Sequence, residues 1–215
     1  SMKLWLYLAL FLAASSAAGA QEVQLGCRRL RIALPQGIGP EVVEQDWGSG
    51  RPHGDATASL ELVGCDGRLL DRFVLEAPLA RLDPDPIRGA PHPTYLVSVD
   101  LTAEAGSYSG PLTLPVQILR EHLAAVAATY PDGHTETVRL AVTGKSDWRK
   151  RRARFRDELL SVSCQPRNGV FVTSFRRLSP TRRGWQATVR TRDGLWESDG
   201  PFPRTSLFPS AFSVR

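Results

Sequence analysis

Residues 94–119, TYLVSVDLTAEAGSYSGPLTLPVQIL, carry the pattern that most restricts how this chain can fold. Apolar side chains recur at every second position from Tyr95 to Leu101, and again from Leu112 to Ile118. A period of two is typical of a half-buried strand, because successive side chains point to opposite faces of a sheet. The stretch therefore predicts a β-hairpin, whose connection is rich in Gly and Ser and carries Tyr108 at its tip.

Shorter segments repeat the same rhythm along the chain. An Asp-Gly pair at 66–67 lies between alternating runs, which is a strong hairpin signal because both turn residues need positive φ. Gly and Pro are frequent in 37–56, which predicts a loop with little regular structure, and the prolines of 78–93 predict an ordered surface crossing. Residues 119–130 are compatible with either a helix or a strand, because alanine favours helix and the flanking context favours strand. The further strands that we predict are 30–34, a hairpin over 122–143, a strand at 158–164, and paired strands at 170–177 and 185–192.

The fold class follows from this pattern together with composition. The chain contains 18 Gly and 16 Pro among 215 residues, which suits a turn-rich β protein and stays below the disordered range. We expect a mainly β protein, an antiparallel hairpin-rich sandwich or barrel with at most one short helix. Residues 21–215 are predicted to form a single domain. Its last segment, 194–215, is expected to lie across the sheet as an extended strap with four aromatic residues, Trp196, Phe202, Phe208 and Phe212.

The first twenty residues have the pattern of an export signal. Ser1 precedes Met2 and is interpreted as a residue added for expression, while Lys3 supplies the positive start. An apolar run and small residues follow, ending Ala18-Gly19-Ala20, so cleavage is expected after Ala20. The apolar run is shorter than the roughly 20 residues that span a bilayer, which disfavours a membrane anchor. The expected location is the periplasm, where the mature chain would carry 26 basic and 22 acidic residues, a net charge of +4.

Three cysteines, Cys27, Cys65 and Cys164, belong to the mature chain. In an oxidising compartment the simplest arrangement is one disulfide and one free thiol, and all three pairings remain open. None of the three has a second cysteine or a histidine at metal-ligand spacing. We expect a structural bridge, no metal and no cofactor.

No catalytic constellation is evident in the sequence. The four histidines form no helical pair and no His-x-His motif, and His53 near Asp55 is interpreted as a solvent-facing loop residue. The neighbouring acids Glu197 and Asp199 are interpreted as a solvated turn. We therefore expect a protein that is not an enzyme.

A basic run, RKRRARFR at 149–156, is the most prominent charged feature. It could contact an acidic protein or a lipid surface, or it could be an exposed loop that maintains solubility. Export disfavours nucleic acid as the partner, and no further segment is long enough to span a membrane. Tyr, Trp and Arg are enriched at binding hot spots. The residues that we expect at a partner-binding surface are Tyr108, Arg149, Arg151, Arg152, Arg154 and Trp196.

The stretches GSYSGPLTLPVQ (106–117) and GLWESDGPFP (194–203), together with the export signal, resemble small exported β-rich proteins of Gram-negative bacteria. Some of these are periplasmic immunity proteins of type VI secretion effectors such as phospholipases. The resemblance implies a protein that binds a toxic effector enzyme and blocks its active site. It assigns no individual residues. The alternatives are an envelope lipid- or glycan-binding module, which predicts a concave pocket, and a hydrolase in which His53 and scattered acids converge.

Overall fold

The computed structural model describes residues 21–102 and 106–211. Strands make up 49% of the chain and helix 5%, which confirms the predicted mainly β, sandwich-like class. The expected export signal and Phe212 lie outside the described residues. The elements in chain order are β1 (Glu22–Leu25), β2 (Arg28–Ala33), α1 (Pro40–Asp46), β3 (Ser59–Val63), β4 (Leu69–Val74), β5 (Ala80–Leu82), β6 (Thr94–Asp100), β7 (Pro111–Leu119), β8 (His122–Ala125), β9 (Ala127–Thr129), β10 (Thr135–Thr137), β11 (Leu140–Ala141), β12 (Ser146–Arg152), β13 (Asp157–Arg167), β14 (Val170–Thr181), β15 (Gly184–Asp193) and a 3₁₀ turn (Thr205–Leu207).

The first sheet contains β1 to β4 in chain order, and each neighbouring pair is antiparallel. The turn at Asp66 and Gly67 joins β3 to β4, as its sequence predicts, and Gly67 has a φ of 82°. A disulfide links Cys27, in the β1–β2 turn, to Cys65, in the β3–β4 turn. Of the three pairings that the sequence leaves open, the structure therefore has this one.

The segments 37–56 and 78–93 each contain a regular element. Helix α1 begins at Pro40, where the missing backbone N–H is harmless because the first turn has no acceptor for it. Val43 of α1 is fully buried. The prediction of a loop with little regular structure was therefore wrong at 40–46, where a buried apolar contact outweighs the surrounding Gly and Pro. Strand β5 lies within the predicted surface crossing of 78–93, pairs with β6 and buries Ala80 and Leu82 in a core cluster with Leu30 of the first sheet.

The second sheet has the order β11-β7-β6-β5, with β8 also paired to β7. The predicted hairpin of 94–119 is confirmed as β6 and β7, with Val97 opposite Leu114. Residues 119–130, for which the sequence is compatible with helix or strand, form the strands β8 and β9.

Both faces of this second sheet are covered by apolar contacts. Tyr95, Val97 and Val99 of β6 pack in a core cluster with Leu30 of the first sheet. Leu96 points to the other face and packs in a second core cluster with residues of the third sheet. The expectation of a half-buried hairpin was therefore too simple, because its second face closes a separate core.

The third sheet has the order β10-β9-β15-β14-β13-β12. Strand β9 runs parallel to β15, and the other pairings of this sheet are antiparallel. Its inner face contributes Leu159, Leu178 and Ala187 to the second core cluster. Its outer face is covered by the described part of the strap, 194–211, through a third cluster that contains Phe175 and Phe208.

Candidate functional site

A cleft of about 760 Å³ opens where the third sheet extends beyond the second core. Strands β13, β14 and β15 are 11, 12 and 10 residues long, so they continue past the part of the sheet that the second sheet covers. The cleft lies between this overhanging inner face and the segments around Tyr108 and Thr143. It is more than twice as large as the pockets beside His53 and Trp185, which measure about 320 and 290 Å³.

The floor of the cleft is set by the register of the three long strands. Leu159, Leu178 and Ala187 stand side by side in the core. Because a strand repeats its faces every two residues, the next two rows lie on the same face, and five of their six residues are polar. They consist of Ser161, Arg176 and Val189, then Ser163, Ser174 and Thr191. One continuous face thus changes from core to cleft floor along its length.

The wall of the cleft is formed by the tip of the β6–β7 connection. Tyr108 lies there with 54% of its surface exposed. A Cβ on Gly110 would overlap the carbonyl oxygen of Val142, and a Cβ on Gly144 would lie 3.2 Å from the carbonyl oxygen of Ser107. The absence of both Cβ atoms lets the two segments touch, which holds Tyr108 over the floor.

Arg176 is the most constrained polar group in the cleft. Its guanidinium donates to Ser161 Oγ at 3.2 Å, to Tyr130 Oη at 3.3 Å and to the Arg139 carbonyl at 3.0 Å. All three acceptors are neutral. A guanidinium has five N–H donors, so two remain. Its side chain is thus held in place while its charge has no carboxylate partner among the described residues.

Two other cations that line the cleft are already neutralised. Arg139 makes a bidentate pair with Glu76, with N–O distances of 2.5 and 3.0 Å. The hydrogen bonds from Arg139 lower the pKa of the Glu76 carboxyl, and the same bonds to Glu76 raise the pKa of Arg139. Lys145 pairs with Glu197 of the strap. Arg167 resembles Arg176 in having no carboxylate partner within the described residues.

An aromatic and acidic cluster borders the floor. The His134 ring stacks on Tyr130 with centroids 4.3 Å apart. His134 also contacts Asp132, and its Nε2 lies 3.2 Å from Glu136 Oε1. The hydrogen bond to Asp132 raises the pKa of His134, and the bond to Glu136 raises it to a smaller extent. In turn, the backbone and ring donors of His134 lower the pKa of Asp132. Tyr130 Oη completes the cluster with a 3.1 Å contact to Glu136 Oε2.

The first half of the basic run belongs to an edge strand, because 146–152 form β12, and 153–156 form the loop that leads to β13. Strand alternation separates the charges of the strand: Arg149 and Arg151 point to the outer face, Lys150 and Arg152 to the inner one. The charges of the run therefore do not combine on one face. The contacts made by this run are Arg149 to Asp147 at 2.9 Å, Lys150 to Asp83 at 3.6 Å, Arg151 to Glu158 at 3.8 Å, Arg152 to Asp157 at 3.9 Å and Arg156 to Glu158 at 3.4 Å.

The remaining sequence-predicted residues lie in different surroundings. Arg154 stacks over the exposed ring of Phe155, 4.8 Å from its centroid, and makes no ion pair with a described residue. Trp196 is partly buried against the third cluster, and its backbone N–H lies 3.4 Å from the buried Cys164 thiol. Of the six candidate residues, the structure thus brings only Tyr108 to the cleft.

His53 is paired with an acid that the sequence did not suggest. Its Nε2 lies 3.2 Å from Asp46 Oδ2 at the end of α1, so the relevant partner is Asp46 rather than Asp55. A pocket of about 320 Å³ adjoins His53, and Glu76 and Asp100 line it too. Both carboxylates are already hydrogen-bonded to donors of their own. Within the described residues, no three His, Cys, Asp or Glu side chains are placed to hold a metal ion.

Sequence reasoning missed Arg176, Tyr130 and His134 as members of one site. A signal was present, because apolar residues give way to Ser at every second position from Leu159 to Ser163. That change marks the point where a strand face leaves the core.

Comparison with protein-family models, curated protein sequences and solved structures finds no match. In the described part of the chain, neither helical segment has the length and apolar character needed to cross a bilayer.

Proposed function

We propose that this chain is an exported binding protein that neutralises a secreted effector enzyme by direct contact. The observation that carries the proposal is the composition of the cleft. An arginine without a carboxylate partner among the described residues lies in its floor, and an exposed tyrosine forms its wall. Arg and Tyr are the side chains that most often dominate protein–protein binding energy.

Exposed apolar side chains near the cleft support a protein partner. Val189 lies in the floor itself and is 47% exposed, and Val142, next in sequence to Ala141 of the lining, is 38% exposed. A polar recess with apolar groups at its margin can exclude water around a central contact, as tight interfaces do. A projecting loop of the partner would enter the recess and contact both kinds of surface.

The disulfide supports action outside the cytoplasm. Cys27–Cys65 closes a loop between residues 38 positions apart and ties two turns of the first sheet together. Such bridges persist in oxidising compartments, which fits the export signal expected in 1–20 and a periplasmic location. The resemblance of 106–117 and 194–203 to immunity proteins adds the inhibitory role.

The test is capture from the periplasm followed by an activity assay. The exported chain, tagged after Arg215, is cross-linked in cells, and the captured proteins are identified by mass spectrometry. We expect an enzyme whose activity falls to near zero at a 1:1 ratio with the purified chain. Tyr108→Ser should weaken inhibition, whereas Phe155→Ser, an exposed aromatic outside the cleft, should not. An enzyme that binds without losing activity would contradict the inhibitory role.

A glycan-binding envelope module is the second candidate. It is favoured by one feature, the exposed Tyr108 ring beside a floor of hydroxyl groups, because sugar rings stack on aromatic faces while their hydroxyls bond to polar side chains. Binding of envelope oligosaccharides with no protein captured would favour this candidate over the inhibitor.

A further inference from the structure

We infer that the cleft recognises a carboxylate on an acidic, extended segment of the protein partner, with Arg176 as the residue that binds it. The inference rests on the proposed function and specifies the chemistry of the partner. It follows from the charge, the geometry and the shape of the cleft.

The ion pairs around the cleft leave two of its arginines without a carboxylate partner. Arg139 is neutralised by Glu76 and Lys145 by Glu197. Of the acidic residues of the lining, Asp147 pairs with Arg149, and Glu136 shares the His134 ring with Asp132. Two positive charges therefore remain without a carboxylate partner among the described residues, those of Arg167 and Arg176. A cleft with this surplus attracts an anionic group and disfavours a cationic one.

The guanidinium of Arg176 is oriented in advance by its neighbours. Its three hydrogen bonds to Ser161, Tyr130 and the Arg139 carbonyl fix the plane of the guanidinium before any ligand arrives. Little side-chain entropy is then lost on binding. The two remaining N–H donors suit a carboxylate, since charge-assisted bonds to Arg are about twice as strong as neutral ones.

The size and shape of the cleft suit a chain segment better than a small anion. A volume of about 760 Å³ is far larger than a single carboxylate needs. Along the floor, hydroxyls of Ser163, Ser174 and Thr191 continue past Arg176 for another row. Such a row provides hydrogen-bond partners for an extended backbone, while Tyr108 covers the segment from the side.

The experiment uses two synthetic probes and the full folded chain. One probe is a ten-residue peptide with two central Glu, and the other is its twin with two Gln. The variants are Arg176→Gln and Arg167→Gln, with Arg183→Gln as the control, which removes the same charge at the β14–β15 turn, outside the cleft. Binding is followed by amide chemical shifts in NMR and by titration calorimetry.

We expect the Glu peptide to shift the amides of Ser161, Ser174 and Arg176, and the Gln peptide to leave them unchanged. Arg176→Gln should weaken binding by about tenfold or more, the usual effect of losing a charged hydrogen bond. Arg183→Gln should change it by less than about twofold, because an exposed distant charge acts weakly. A Glu peptide that leaves the cleft amides of the wild-type protein unchanged would overturn the inference, and this readout requires no variant to fold.

Failure of the inference is distinguishable from failure of the proposed function. If the captured enzyme binds wild type and a folded Arg176→Gln variant equally, the inhibitor stands and the carboxylate contact is wrong. If the peptide binds as expected and no enzyme is captured, the cleft chemistry stands and the inhibitory role is wrong. Oligogalacturonate is tested as an acidic oligosaccharide. If it binds the cleft and the Glu peptide does not, the cleft recognises a glycan carboxylate and the assignment to a peptide segment is overturned.

Discussion

Arg177 Nη1 donates to Glu158 Oε2 at 2.6 Å, and the two side chains are only 10% and 5% exposed. The pair lies on the outer face of the third sheet and joins β13 to β14. Arg177 Nε also donates to the Pro209 carbonyl at 2.6 Å. One buried arginine thus connects two central strands to the strap that covers them.

Removing either member of this pair should destabilise the protein, and by unequal amounts. Glu158 also lies within 4 Å of Arg151 and Arg156, whereas Arg177 contacts no other carboxylate among the described residues. Glu158→Gln therefore leaves a buried cation alone and should cost about 3–5 kcal/mol of unfolding free energy. Arg177→Met should cost less, because Glu158 keeps two arginines.

Urea denaturation of the two variants checks this order. The double variant Glu158→Gln/Arg177→Met is the matched control, and it should be more stable than Glu158→Gln alone because no buried charge is stranded. Equal losses in both single variants would show that the other arginines do not support Glu158.

Gly110→Ala should disturb the cleft while leaving the cores intact. The added methyl would overlap the Val142 carbonyl oxygen, so the Tyr108 tip must move away from β11. Amide shifts of 106–110 and 142–144 should change in NMR, and those of β2 and β3 should not. Gly106→Ala is the control, because a Cβ there meets no neighbouring atom. Similar spectra for both variants would contradict the close approach.

The three cysteines should behave differently toward a thiol reagent. The native chain should show almost no reaction, because Cys164 is completely buried, and the denatured chain should show one thiol. Replacing Cys27 and Cys65 together by Ser should lower the unfolding free energy by about 2–4 kcal/mol, mainly by freeing the unfolded chain. Two or more thiols in the denatured, unreduced protein would exclude the Cys27–Cys65 bridge.

His134 should make stability depend on pH near neutrality. The Asp132 and Glu136 contacts raise its pKa above the ordinary value of 6.5. A group with a raised folded-state pKa stabilises fully below its unfolded pKa, and this stabilisation is lost as pH rises through the folded value. His134→Gln should therefore lower Tm more at about pH 5.5 than at about pH 9.

NMR titration of the His134 ring protons measures the same effect directly, with an expected midpoint above 6.5. The contacts are solvent-exposed, so 0.5 M salt should move the midpoint back toward the ordinary value. A midpoint at or below 6.5 in low salt would contradict the cluster.

Local patterns in the sequence predict the hairpins well and the helix poorly. The hairpin of β6 and β7 depends on period-two alternation within one segment, and this alternation is a local property of the sequence. Helix α1 is only seven residues long, and its one sequence signal is Pro40 followed by Val42 and Val43. Its burial of Val43 depends on tertiary packing that no local pattern contains.

The turn between β13 and β14 has a clear sequence signal that is absent from our predictions. Asn168 and Gly169 have φ values of 51° and 81° and join β13 to β14 in a two-residue turn. Asn-Gly is a strong signal for such a turn. Reading it would have shown that β13 and β14 are long and adjacent, which is the basis of the cleft floor.

The candidate site was less predictable than the fold. Arg149 and Arg151 were predicted at a binding surface because they belong to a dense basic run, yet a nearby acidic residue gives each a local partner. Arg176 lies in a less conspicuous stretch. Its unpaired charge is a property of the folded sheet, since Tyr130 and Ser161 reach it only through strand pairing.

Along β13, β14 and β15, residues that form the core and residues that line the cleft occupy successive positions of the same strands. Leu159, Leu178 and Ala187 hold the fold, while Ser163, Ser174 and Thr191, four residues further along the same face, line the cleft. Substitutions at these three positions should alter the cleft floor with little effect on folding. Under the proposed function, target specificity can therefore evolve at the outer rows of the floor while the core residues of the same strands stay unchanged.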